Sequence, residues 1–148
     1  MKVREILRVK GGTLFTATPE QPLSAAIGVM ADLDVGSLVV MDSGRMVGML
    51  TFREVIKALG ASGHCDEAVK VGDVMVREPV TAFPEMAVND LRQLMIEKHS
   101  RYLPVLEGEV LMGVISFLDV AKAVLEEQSF ENKMLKNYIK NWPGEAPV

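Results

Sequence analysis

Chemically versatile residues are scarce in this 148-residue chain, which has one cysteine, two histidines, one tryptophan and only 5% aromatic residues. A lone cysteine excludes an intramolecular disulfide and fits a reducing compartment. His64, Cys65, Asp66 and Glu67 adjoin one another, but no second Cys or His lies at zinc-ligand spacing. Cys65 and His99 belong to no nucleophile–base–acid pattern, and neither a P-loop nor a dinucleotide-binding glycine fingerprint occurs. A net charge of -4 without a Lys/Arg cluster argues against nucleic-acid binding. No apolar run approaches the roughly 18 residues that span a bilayer, and the opening Met1–Leu7 lacks the apolar core of a secretory signal. These absences predict a soluble, cytoplasmic protein with no membrane segment, no metal site and no catalytic residues, hence not an enzyme.

What the chain does contain is a repeat. Offset by 65 residues and without a gap, Pro19 recurs as Pro84, Met30 as Met95, Leu38 as Leu103, Gly48 as Gly113 and Phe52 as Phe117. About a dozen identities fall in the 47 aligned positions, and many other pairs exchange one apolar residue for another. Two copies of this length are too few and too long for a solenoid. They predict two similar units about a pseudo-two-fold axis, mutually dependent because about 60 residues make a marginal core. Function is then expected where the halves meet.

Within each unit the pattern reads β-α-β-β-α. In the first, Leu14 to Ala17 reads as a strand, and Leu23, Ile27, Met30 and Ala31 set a helix over Leu23 to Leu33. Ser37 to Met41 and Met46 to Leu50 form a hairpin about Asp42-Ser43-Gly44, and Thr51 caps the next helix. The second unit replays this with a strand over Val80 to Ala82, a helix over Val88 to Lys98, a hairpin over Tyr102 to Ile115 and Ser116 as cap. Met1 to Lys10 forms an amphipathic helix entering the first unit, and Val71 to Met75 is its counterpart. Met30, Met95 and Met112 read as core filler. The bounds are then 1–62 and 71–124 for the repeats, 63–70 for a linker, 125–142 for a C-terminal helix and 143–148 for a tail. Phe130, Met134, Tyr138 and Trp142 give that helix an apolar stripe without a counterpart in the first half.

The chemistry concentrates in two segments, Gly48-Met49-Leu50-Thr51-Phe52-Arg53-Glu54 and Gly113-Val114-Ile115-Ser116-Phe117-Leu118-Asp119. In each, a glycine leaves space at a strand end, and a hydroxyl beside free N–H groups at a helix start suits phosphate. A carboxylate one turn later can accept hydrogen bonds from a vicinal diol.

These two segments, the paired Thr-Ala-x-Pro-Glu openings at Thr16 and Thr81, and Arg101-Tyr102-Leu103-Pro104-Val105 resemble the tandem cystathionine β-synthase (CBS) domain pair, or Bateman module, over residues 1–124. The C-terminal run is similar to that of small stand-alone bacterial members with an extra helix. The resemblance implies an α+β fold of two repeats packed through their sheets. It also implies a regulatory module that senses an adenosyl ligand (AMP, ADP, ATP, NAD(H) or S-adenosylmethionine) between the repeats, with AMP and ATP leading. Asp119 would hold the ribose and Ser116 the phosphate of one cleft, with adenine against Thr16, Val35 and Gly36. Thr51 and Glu54 would play those parts in the other cleft, against Thr81, Tyr102 and Leu103. Arg101 and Arg53 are the candidate phosphate cations, one per cleft.

Departures from the family pattern favour the Asp119 cleft. Glu54 stands where aspartate is usual, and Gly36-Ser37 where a basic pair can sit. The expected partners are the adenosyl small molecule, a second copy of the chain meeting through the C-terminal stripe, and an effector protein that receives the signal. A structural dimerisation module with vestigial clefts, or a redox-linked regulator responding to NADH, are the alternatives.

Overall fold

A computed structural model describes residues 1–64 and 66–140. Cys65, and with it the redox alternative, lies outside the described residues, as do Trp142 and the tail. Helix α1 (Val3–Lys10) leads into β1 (Thr16–Ala17), α2 (Leu23–Leu33), β2 (Ser37–Asp42), β3 (Arg45–Thr51) and α3 (Phe52–Ser62). After the connection come α4 (Val71–Val74), β4 (Val76–Arg77), α5 (Val88–Lys98), β5 (Tyr102–Glu107), β6 (Val110–Ser116) and α6 (Phe117–Lys140).

The two long inner helices occupy the bounds that their apolar spacing predicts. Leu23, Ala26 and Met30 bury one face of α2, and Val88, Leu91 and Met95 the same face of α5. Each helix stops at a left-handed residue, Asp34 (φ 53°) and, 65 residues on, His99 (φ 52°). Both hairpins are antiparallel and share a bulge at equivalent places, Val40/Met41 and Val105/Leu106. Ser43 and Gly44 both have positive φ, which a two-residue loop needs if its twist is to match the strands.

The leading strands are shorter than their apolar patterns predict. The 14–17 strand shrinks to β1, parallel to β2, and the 80–82 strand to a single bridge between Ala82 and Val105. Pro19 and Pro84 follow closely and lack the N–H that a ladder requires. An unpredicted strand, β4, adds to β3 and completes the order β1-β2-β3-β4 beside the separate β5-β6 hairpin. Two residues carry no periodicity by which to recognise it. Met112 is also a correction: it is exposed with Val110, because alternation along β6 turns both outward, whereas Met30 and Met95 are buried as predicted.

The largest difference concerns α1. It does not join the first repeat. Val3 and Ile6 enter the core of the second repeat, with Leu91, Met95, Leu103 and Ile115, while Val71 of α4 enters the core of the first, with Leu23, Leu38 and Leu50. The exchange is reciprocal in detail. Val3 N–H donates to Met86 O and Arg4 N–H to Pro84 O; Val71 N–H donates to Gln21 O and Gly72 N–H to Pro19 O. Lys2 pairs with Glu85 at 2.9 Å as Lys70 pairs with Glu20 at 2.6 Å. An amphipathic stripe states that a helix has a core to join, not which one. At the far end of the hairpins, Arg45 and Glu109 pair across the two repeats at 3.4 Å.

The exchange also explains the two strand glycines. A Cβ on Gly113 would lie 2.9 Å from Leu7 Cδ2 of α1, and one on Gly48 would lie 2.7 Å from both Met75 Sδ and the Val76 carbonyl. The space beside each strand therefore holds a side chain from the exchanged segment. Leu7 can rotate, but the Val76 carbonyl is part of the β3–β4 pairing. Gly48→Ala is expected to destabilise by about 1–3 kcal/mol and Gly113→Ala by less than about 1 kcal/mol, measured by urea unfolding. Equal losses would contradict this packing.

Candidate functional site

Both helix starts are capped by a carboxylate one turn on, and they differ in whether a cation joins it. In the first repeat the Thr51 backbone N–H and hydroxyl both donate to Glu54 Oε1, at 2.9 and 2.7 Å, and Arg53 N–H donates to Thr51 Oγ1. Glu54 is only 9% exposed, the one buried charged residue among those described. Its carboxylate closes a capping box on its own helix start. Glu54 thus caps α3, as Asp119 caps α6 one repeat on.

In the second repeat Ser116 N–H donates to Asp119 Oδ2 at 2.9 Å, and Asp119 N–H donates to Ser116 Oγ at 3.1 Å. The same carboxylate oxygen accepts from Lys10 Nζ at 2.7 Å, and Lys10 also donates to the Val114 carbonyl at 2.8 Å. Partial burial pushes the Asp119 carboxyl up, yet the hydrogen bond from Lys10, the Ser116 N–H and the ammonium charge together hold it below the usual 3.8. The aspartate stays ionised through the neutral range, and the pair is lost only as pH falls below that value.

Lys10 also lines a cavity of about 450 Å³ between the repeats. Its walls come from both: Thr13, Phe15, Val35, Gly36 and Ser37 from the first, and Arg101, Tyr102, Ser116 and Phe117 from the second. This is within the size range of sites for small organic ligands. Two cations, the acidic Asp34, several hydroxyls and an apolar surface that includes two phenylalanines line it. Such a lining can hold an anionic group and a flat apolar ring.

Of the residues expected in the Asp119 cleft, Val35, Gly36, Arg101 and Ser116 line this cavity, and Asp119 is tied to its wall through Lys10. Thr16 is exposed on β1 and is not among the lining residues. Of the set expected around Glu54, Thr51 and Glu54 meet at the start of α3. Thr51 caps α3, Arg53 is exposed in its first turn, and Thr81 is half-buried beside the Ala82 bridge. Leu103 is fully buried in the core, because it alternates inward on a strand covered by α1 and α5. Tyr102 lines the Asp119-side cavity, and its ring packs where a Cβ on Gly36 would be. Lys10 went unrecognised because only the exchange of α1 carries it to this corner. Ser37 and Phe117 had a legible signal, being the equivalents of Tyr102 and Phe52 one repeat away.

Among the described residues, no group of three or more His, Cys, Asp or Glu is arranged to hold a metal ion, and no helix is long and apolar enough to cross a membrane.

Two β-α-β-β-α units that exchange their leading helices around a shared cavity define a tandem-repeat architecture. The chain belongs to the CBS domain family, whose pattern matches residues 3–61 and 71–126. It is 29% identical over 147 residues to the CBS domain-containing protein CBSX3, mitochondrial, of Arabidopsis thaliana, covering 93% of this chain and 71% of that one. A putative signal-transduction protein with CBS domains from Burkholderia ambifaria superposes with a TM-score of 0.80 at 30% identity, covering 86% and 96% of the two chains. CBSX2, solved in complex with AMP, superposes with a TM-score of 0.75 over 86% of this chain and 98% of that one; at 21% identity this likeness shows the fold alone.

Proposed function

We propose that this protein is a cytoplasmic regulatory module that takes an adenine nucleotide, AMP or ATP first, in the Asp119-side cavity and passes the signal to a partner protein. The observation that carries the reading is the pairing of Lys10 and Arg101 in one cavity of about 450 Å³ walled by both repeats. Arg101 supplies a planar fork for phosphate oxygens, Ser116 a hydroxyl, and Asp119 a carboxylate within reach of a diol. Phe15, Val35 and Phe117 offer apolar contact to a base, and the AMP complex of CBSX2 makes this ligand class the first to test. A ligand touching both repeats favours one relative placement of them, and its effect cannot exceed its preference for that state. For the Glu54 side, the buried cap favours the scaffold reading instead.

The exposed stripe of Phe130, Met134, Leu135 and Ile139 along α6 supports self-association through that helix. The ligand is tested by thermal unfolding against AMP, ADP, ATP, NAD, NADH and S-adenosylmethionine. A ligand at about 100 times its Kd stabilises by about 2.7 kcal/mol, a shift of about 5–10 °C for a chain of this size. The expected result is a selective shift that disappears in Asp119→Ala. No shift across the panel would leave the scaffold reading in its place.

A further inference from the structure

Lys10 is the last residue of α1, the helix that precedes the first repeat in sequence and packs into the second. An ammonium has three donor protons, and here one goes to Asp119 Oδ2 and one to the Val114 carbonyl. Lys10 is also part of the cavity wall. The carboxylate assigned to a ribose diol thus already holds a cation. A diol that takes Asp119 competes with Lys10, and an ammonium displaced without a new anion loses an ion pair at a partly buried position. A phosphate at the same site removes that penalty. Arg101, on another part of the wall, adds positive charge but is not tied to Asp119. Gly11 and Gly12 follow Lys10, with open space where a Cβ would lie on either.

We infer that Lys10 is the specificity-determining residue of this cleft: it exchanges Asp119 for a ligand phosphate, coupling diol binding to phosphate binding. The site then prefers a nucleoside phosphate over the free nucleoside by more than net charge alone requires. This rests on the nucleotide reading above and deepens it. The coupling gives Lys10 a signature that a simple surface cation lacks. Removing its charge deprives the phosphate of a partner but frees Asp119 for the diol, so the two ligands respond in opposite directions.

The test is isothermal titration of AMP and of adenosine into the wild-type protein, Lys10→Met and Lys10→Arg. Lys10→Met is expected to weaken AMP about tenfold or more and to strengthen adenosine about two- to threefold. Lys10→Arg is expected to keep most of the preference for AMP. Parallel weakening of both ligands in Lys10→Met, or no change in either, would overturn the exchange. Equal affinity of the wild type for AMP and adenosine would overturn it while leaving the adenosyl reading intact. Binding of neither would remove both.

Discussion

Val3→Asp is expected to lower the melting temperature by about 6–20 °C, and to do so by opening the second repeat, from which residue 3 is distant in sequence. Val3 is 0% exposed and belongs to the cluster of Leu91, Met95, Leu103 and Ile115. An aspartate there loses the apolar contact and leaves a charge without a partner, a penalty of about 3–5 kcal/mol. At about 2–4 °C per kcal/mol for a domain of this size, that yields the stated shift. Hydrogen exchange locates the damage. Amides of α5, β5 and β6 are expected to lose protection first, with β2 and β3 less affected. Val71→Asp, at the equivalent position of α4, is expected to reverse the pattern. Loosening of the first repeat by Val3→Asp would mean that the leading helices are not exchanged.

Arg101→Glu is expected to weaken nucleotide binding by about 100-fold while moving the ligand-free melting point by less than about 2 °C. The side chain is exposed at the cavity wall, and its backbone carbonyl, which accepts from Phe117 N–H at 2.7 Å, is untouched by the change. Surface substitutions of this kind alter stability by about 0.5 kcal/mol or less. A lost charge-assisted hydrogen bond is worth about 1.5–3 kcal/mol, and reversal adds repulsion between Glu and phosphate. Thermal unfolding with and without AMP reads both quantities at once. An undiminished AMP shift in Arg101→Glu would move the phosphate away from this wall. An equal fall in the ligand-free melting point would make Arg101 a structural residue.

The fold was legible because each repeat states its elements twice. Leu23–Leu33 and Val88–Lys98 have helical apolar spacing, both hairpins have turn residues at matching places, and Thr51 and Ser116 mark helix starts. The cavity was legible in part. Gly36, Val35, Arg101 and Ser116 are drawn together by pseudo-symmetry, which relates strand ends and helix starts even before their distances are known. Tyr102 was assigned to the opposite cleft because its sequence neighbours line up there, yet its ring reaches across to Gly36. The Leu103 side chain lies in the core, and a motif position says nothing of that choice.

From sequence alone, then, come the duplication, the order of elements, the capped carboxylates at Glu54 and Asp119 and membership of a recognisable family. These are local or periodic properties, and local sterics and repeat spacing suffice to determine them. Tertiary structure alone decided which core each leading helix joins, that Gly48 and Gly113 admit side chains from those helices, and that Lys10 meets Asp119 across 109 positions. Two near-identical cores present equivalent apolar faces to either helix, so the choice rests on three-dimensional packing and chain connection, which no local pattern encodes.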